Sequence, residues 1–130
     1  NAILDKQGPL DDDEFAVMKS HPAFTRSILE RIPRLASLAP VAAAHHEKLD
    51  GSGYPDGLRA EELPPAARLL VVSDIFEALT ADRPYRKAMT TADALGLMER
   101  EVGPKLCPEA FAALVATCDG VSAAAVELAA

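Results

Sequence analysis

The segment from residue 66 to residue 81 constrains the fold most, because it is apolar on nearly every side of a helix. A helix of that kind lies inside a protein core or a membrane. No run of about 18 consecutive apolar residues occurs, so we predict no membrane span. The segment is therefore predicted to be the central helix of a bundle.

The composition favours an all-α domain. Aromatic residues make up 5% of the chain and tryptophan is absent, whereas hydrophobic residues make up 49%. A core built mainly from Ala, Leu, Val and Ile is more readily made of helices than of sheets. The length of 130 residues fits one domain. We predict a bundle of about six to seven helices.

Prolines, glycines and capping residues divide the chain into predicted helices. The first covers about residues 11–20 and begins at three consecutive aspartates, and the second covers 22–31 after a break at His21 and Pro22. Further helices are predicted at 35–46, with Pro40 as an alternative start, and at 66–81, 91–102, 108–118 and 121–129. The apolar residues expected to face inward, at least in part, from the first two helices are Phe15, Val17, Met18, Phe24, Ile28, Leu29 and Ile32.

Charge and cysteine content bear on partners and compartment. The net charge of −7 argues against a DNA-binding groove. Cys107 and Cys118 have no paired spacing and indicate thiols of a reducing compartment. With no signal peptide visible, we predict a cytoplasmic protein.

All three histidines lie at predicted element boundaries, where metal ligands can converge. His21 precedes a proline, and His45 and His46 end an apolar segment. Neighbouring positions on an ideal helix point about 100° apart. The pair would therefore bind two ions of one cluster, unless one ring turns at a fraying helix end.

Asp74 is a further candidate ligand. It stands in the middle of the most apolar helix, and a buried carboxylate is costly unless it is paired or binds a cation. A buried cap or an ion pair with a neighbouring arginine is the alternative. Together with the histidines, this donor set suits iron, manganese or zinc.

A loop rich in glycine and proline, at about 47–65, follows the histidine pair. A loop of this length in a small domain is usually functional or disordered. Tyr54 would stack on a base or plug the loop into the core. Glu47 and Asp50 would support the metal ligands or be ordinary loop charges. The residues expected to form a lid or a partner-docking loop are Gly51, Gly53, Tyr54, Pro55 and Gly57.

Arg83 and Arg86 stand three positions apart, around Pro84 and Tyr85, directly after the central helix. Two guanidinium groups held by a proline-stiffened turn suit phosphate oxygens. The alternative is a solvated helix end, where cations interact with the C-terminal dipole.

Competing motifs do not fit. Asp50 occupies the position of the second histidine of H-E-x-x-H. His45 and Glu47 match the H-x-E of zinc deaminases, but no P-C-x-x-C follows.

The histidine, Gly-Tyr-Pro, Asp74 and arginine motifs, in their order along the chain, resemble those of the HD-GYP family. This family comprises the metal-dependent phosphodiesterases of bacterial cyclic-di-GMP signalling. The resemblance implies an HD-type helical bundle with a binuclear or trinuclear iron or manganese centre. A metal-bridged hydroxide would attack phosphorus. The implied ligands are His21, His45, His46 and Asp74, and the implied contacts to the dinucleotide are Tyr54, Arg83 and Arg86. The matching segments are residues 3–10, 18–22, 45–47, 51–58, 73–78 and 82–86.

The His-Asp pair that gives the family half of its name should precede Ile3 by a few residues, and it is not in this sequence. We therefore expect residues 1–130 to be the C-terminal part of an HD-GYP domain, with a ligand set that is incomplete by itself. One predicted function is the phosphodiesterase that converts cyclic-di-GMP to linear pGpG or GMP. The other is an inactive module whose Gly-Tyr-Pro loop docks partners such as diguanylate cyclase (GGDEF) domains. A homodimer is left open.

Overall fold

A computed structural model describes residues 3, 6, 8–83 and 86–128, with side chains up to residue 120. Part of the 3–10 segment, Pro84, Tyr85 and the end of the predicted 121–129 helix therefore lie outside the described residues. Within them the chain is helical, with no strand beyond isolated bridges, which confirms the all-α class. The elements are α1 (Asp12–Met18), α2 (His21–Glu30), a 3₁₀ turn (Ala36–Leu38), α3 (Ala39–Ala43), a second 3₁₀ turn (Ala60–Glu62), α4 (Pro65–Thr80), α5 (Thr91–Glu99) and α6 (Pro108–Leu128).

Local capping chemistry explains where the first helices begin. Asp11 caps α1, since its side chain accepts the Glu14 backbone N–H while Glu14 accepts the Asp11 N–H, both at 2.9 Å. Helix α2 begins at His21 with Pro22 in its first turn, where the missing proline N–H costs nothing. The predicted break at His21 and Pro22 is thus displaced to Lys19 and Ser20, and His21 becomes the first residue of a helix.

Three predicted helix boundaries were wrong. Helix α3 starts at Ala39, next to the alternative start at Pro40, but it ends at Ala43, so His45 and His46 lie beyond it. Helix α5 ends at Glu99 rather than near residue 102. The two helices predicted at 108–118 and 121–129 form the single α6, because one glycine inside a helix costs only about 1 kcal/mol.

The core lies where α4 packs against α5 and α6. Ala67, Val71 and Val72 are the buried residues of α4, whereas Leu69 is 47% exposed. One side of α4 therefore faces the core, whereas the side that carries Leu69 is exposed, so within the described chain the helix is not surrounded by other elements, contrary to the prediction. The buried residues of the main cluster are Val71, Val72, Met98, Leu106, Cys107 and Ala110.

The inward face predicted for α1 and α2 was wrong for most of its residues, although Met18 and Leu29 are half-buried. Phe24 and Ile28 are 64% and 61% exposed, and α1 buries none of its residues. Helix α2 packs mainly on α3, and no element of the described chain covers the opposite apolar side. Among the described helices, none is both long and apolar enough to cross a membrane.

Candidate metal centre

The three histidines converge on one point although they come from two parts of the chain. The Nε2 atoms of His21 and His45 lie 2.8 Å apart. The ring centroids of His45 and His46 are 4.2 Å apart, and one nitrogen from each of the three rings lies within 4.8 Å of the others. The divergence expected on an ideal helix does not apply, because the pair follows the end of α3.

The tautomers of His21 and His45 follow from their backbone contacts. Nδ1 of His21 lies 2.7 Å from the Met18 carbonyl oxygen, and Nδ1 of His45 lies 2.7 Å from that of Ala42. A carbonyl oxygen only accepts hydrogen bonds, so both Nδ1 atoms carry the hydrogen and donate. In the neutral rings both lone pairs are consequently on Nε2.

Two Nε2 lone pairs facing each other at 2.8 Å repel unless a proton or a metal cation lies against them. Two ligands at right angles around an ion, each bonded at about 2.1 Å, would be about 3 Å apart. Metal-bound histidines also usually donate their other ring N–H to a carbonyl or a carboxylate. The pair thus fits a shared cation in spacing and in tautomer.

His46 and Asp74 extend this nitrogen cluster toward α4, with 3.6 Å between His46 Nδ1 and Asp74 Oδ2. Burial, followed by repulsion from His45, lowers the pKa of His46 from 6.5 to about 4. His46 is therefore neutral near pH 7, with a lone pair available to a metal. The Asp74 side chain is 37% exposed. The prediction of a buried carboxylate in the middle of the apolar helix was therefore wrong.

Glu47 anchors the loop that follows the histidines. Its side chain is completely buried. One carboxylate oxygen accepts the backbone N–H groups of Asp56 and Gly57 at 2.7 and 3.1 Å, and the other accepts that of Leu58 at 2.9 Å. Burying a carboxylate is tolerable here because both oxygens are hydrogen-bonded. Its contacts are thus with the loop backbone.

The Gly-Tyr-Pro sequence presses this loop against the histidine pair. A Cβ on Gly53 would lie 2.4 Å from Glu47 Cα and 2.5 Å from the His46 carbonyl oxygen, so only glycine fits. The Tyr54 backbone N–H donates to that carbonyl at 3.2 Å. The Tyr54 ring lies 4.7 Å from the His46 ring, tilted by 33°. Tyr54 therefore packs on a candidate metal ligand.

A second contact joins the loop to α2. Arg26 pairs with Asp56, which connects the loop to the helix that begins at His21. The two residues are 30 positions apart, and no local spacing in the sequence pointed to the pair.

Arg83 and Arg86 make contacts at the C-terminal end of α4. The Arg86 guanidinium donates to the carbonyl oxygens of Ala78 and Leu79, and Arg83 pairs with Glu77 at 2.7 Å. These contacts match the helix-end alternative. Binding of phosphate by the two arginines stays a prediction.

A cavity of about 610 Å³ opens beside the histidines, a volume typical of small-molecule sites. His45, His46 and Tyr54 line it together with apolar side chains of α4 and α5. The cations that also line it, with no motif to signal them, are Lys48, Arg100 and Lys105.

Comparison with known proteins bears on these motifs directly. Residues 1–109 match the family model described as an HD domain. A 3'3'-cGAMP-specific phosphodiesterase of Vibrio cholerae is 47% identical over 114 residues, covering 88% of this chain and 25% of that protein. A cyclic di-GMP phosphodiesterase response regulator of Xanthomonas campestris is 40% identical, covering 88% and 31%. A cyclic di-GMP phosphodiesterase of Thermotoga maritima is 37% identical, covering 87% and 31%. The chain thus spans between a quarter and a third of the length of these relatives.

Proposed function

Because the chain belongs to the HD domain family, in its HD-GYP branch, we propose that residues 1–130 are the C-terminal part of a phosphodiesterase domain for cyclic dinucleotides. The substrate we propose is cyclic di-GMP, opened to linear pGpG or cleaved further to GMP. The observation that carries the proposal is the convergence of His21, His45 and His46. The Nε2 atoms of His21 and His45 lie 2.8 Å apart, and the Nδ1 atom of each lies 2.7 Å from a carbonyl oxygen.

The donors we propose for the metal are these three histidines and Asp74. Nitrogen with carboxylate oxygen suits iron or manganese, in a binuclear or trinuclear centre. When bound, the metal would supply a hydroxide nucleophile at neutral pH and a Lewis acid for the phosphoryl oxygens. Four donors do not complete such a centre. We propose that the remaining ligands are outside residues 1–130, and that the chain alone binds metal weakly without turnover.

The substrate contacts we propose are Tyr54, Arg83 and Arg86. Tyr54 lines the cavity beside the histidines and offers a ring face for a guanine base. Burial raises the pKa of its hydroxyl, with a further contribution from Asp74, so the hydroxyl stays protonated and able to donate. The arginines would have to exchange their present acceptors on α4 for phosphate oxygens.

A second candidate substrate is 3'3'-cGAMP, because the relative that is 47% identical is named for that specificity. Docking of GGDEF domains through the Gly-Tyr-Pro loop is not favoured, because the loop makes contacts within the chain. Glu47 accepts backbone N–H groups of the loop, and Gly53 and Tyr54 contact the backbone of the histidine segment. A homodimer and a cytoplasmic location stay predictions, tested by light scattering and by cell fractionation.

The deciding experiment measures metal content and hydrolysis in the full gene product that contains the chain. After reconstitution with Fe²⁺ or Mn²⁺, each cyclic dinucleotide is incubated with the protein and the products are separated by chromatography. We expect His45→Ala to bind less metal and to have a kcat/KM at least about 100-fold lower than the wild type. Glu61→Gln, at an exposed position, should change neither. A metal-loaded gene product that hydrolyses neither dinucleotide would refute the proposal.

A further inference from the structure

Glu47 is a completely buried carboxylate for which the proposed reaction has no use, although it follows the two histidines directly. We infer that Glu47 is a positioning residue, which fixes the loop of residues 53–58 so that the Tyr54 ring stays against His46. The catalytic meaning of this inference rests on the proposed function, whereas the positioning itself depends on neither metal nor substrate.

The hydrogen bonds show how one side chain can set the whole loop. Three consecutive backbone N–H groups, at 56, 57 and 58, point to one carboxylate at 2.7 to 3.1 Å. At the other end, Gly53 lies in contact with the backbone of 46–48, and the Tyr54 N–H donates to His46. The loop is therefore tied at both ends to residues 46 and 47.

The side-chain contact between the loop and α2 is weaker than the Glu47 contact. Arg26 and Asp56 form an ion pair with side chains that are 33% and 39% exposed, and exposed pairs contribute little because water screens them. The Glu47 hydrogen bonds are buried and charge-assisted, and such bonds are about twice as strong as neutral ones. Glu47 should consequently dominate the loop conformation.

The consequence for the site follows from what Tyr54 and His46 share. Both line the cavity of about 610 Å³, and their rings are 4.7 Å apart. A loop released from Glu47 would move Tyr54 away from the cavity without removing any candidate ligand. Substrate binding should then weaken while the metal content stays the same.

Glu47→Gln is the sharpest test, since it keeps the shape of the side chain. An amide oxygen still accepts on one side, but its NH₂ group places a donor against a backbone N–H on the other. Glu62→Gln is the matched control, because Glu62 also accepts a backbone N–H, from Arg59 at 2.9 Å, at an exposed position. Tyr54→Leu gives the reference state in which the ring is absent.

Two measurements on the metal-free chain by NMR decide the positioning role. In Glu47→Gln, amide hydrogen exchange at 56–58 should accelerate at least about tenfold. The ring-proton shifts of His46 should move toward their values in Tyr54→Leu. Glu62→Gln should change neither. A folded Glu47→Gln with unchanged His46 shifts would overturn the inference. If that variant does not fold, Glu47→Asp, which keeps the charge on a shorter arm, is judged by the same two measurements.

A kinetic cycle in the active gene product separates positioning from general structural support. Glu47→Gln should raise KM for the cyclic dinucleotide about tenfold or more at unchanged metal content. In a Tyr54→Leu background, the same substitution should add little, since the ring that Glu47 positions is gone. Additive effects in the two backgrounds would contradict the inference.

Discussion

Replacing Gly53 by alanine tests whether the loop truly packs on the histidine segment. The new Cβ would lie 2.4, 2.5 and 2.6 Å from Glu47 Cα, the His46 carbonyl oxygen and the Lys48 nitrogen, all of them backbone atoms. Ordinary contacts begin at 3.4 Å, so the two backbone segments would have to separate by about 1 Å.

The cost can be worked from this displacement. Forcing an extra carbon into a packed site costs about 1–3 kcal/mol. The hydrogen bond from the Tyr54 N–H to the His46 carbonyl would be lost at that separation, at about 0.5–1.5 kcal/mol. Gly53→Ala should therefore lower the free energy of unfolding by about 2–4 kcal/mol.

Gly96→Ala is the matched control, with an effect of opposite sign. Gly96 lies within α5, and among the described residues a Cβ there would meet no atom within 4 Å apart from the backbone of the helix itself. Alanine in a helix is more stable than glycine by about 0.5–1 kcal/mol.

Urea unfolding followed by far-ultraviolet circular dichroism measures both variants in the same metal-free buffer. We expect the midpoint to fall for Gly53→Ala and to rise for Gly96→Ala, at equal slopes. If Gly53→Ala stays within about 0.5 kcal/mol of the wild type, the close approach of the loop does not exist in solution.

Three further predictions concern single contacts, each measured by urea unfolding. Arg86→Ala should lower the free energy of unfolding by about 1–3 kcal/mol, because two carbonyl oxygens of α4 lose a charged donor. Arg83→Ala should lower it by less than about 1 kcal/mol, since Arg83 forms an exposed ion pair. Equal losses for the two variants would contradict this. In EDTA, the free energy of unfolding should fall by about 2–3 kcal/mol as the pH drops from 6.5 to 4. Unfolded His46 takes up a proton across that window, whereas folded His46, with a pKa of about 4, stays mostly neutral until the pH approaches 4. His46→Gln should flatten this decline, and an unchanged profile would count against the low pKa. Thr90→Ala should cost about 1 kcal/mol, since the Asp93 N–H donates to its hydroxyl, and Thr90→Ser should recover most of that loss.

Local signals predicted much of the fold because they act within a few residues. Asp11 caps α1 as expected, and α4 lies within one residue of its predicted bounds. The boundaries that failed depended on packing. Gly120 does not interrupt α6, and α3 ends before the histidines because the chain turns there to approach the loop.

The same distinction applies to the candidate site, where local signals predicted some features and packing decided others. Its residue types and the family motifs were readable in order along the chain, and relatives named as phosphodiesterases support that interpretation. The exposure of Phe24 and Ile28 was not readable, because an apolar stripe shows that a face can be buried but not whether another element covers it.

By itself, therefore, the sequence determined an all-α HD-GYP chain and a shaped loop after the histidine pair. It also predicted His21, His45, His46 and Asp74 as candidate metal donors. Only the tertiary structure decided that two Nε2 atoms meet across 24 positions, and that Glu47 holds the loop through backbone groups as far as 11 positions away. The physical reason is that capping and helix periodicity act over one or two turns. Convergence of ligands and satisfaction of a buried carboxylate depend on segments that only packing brings together.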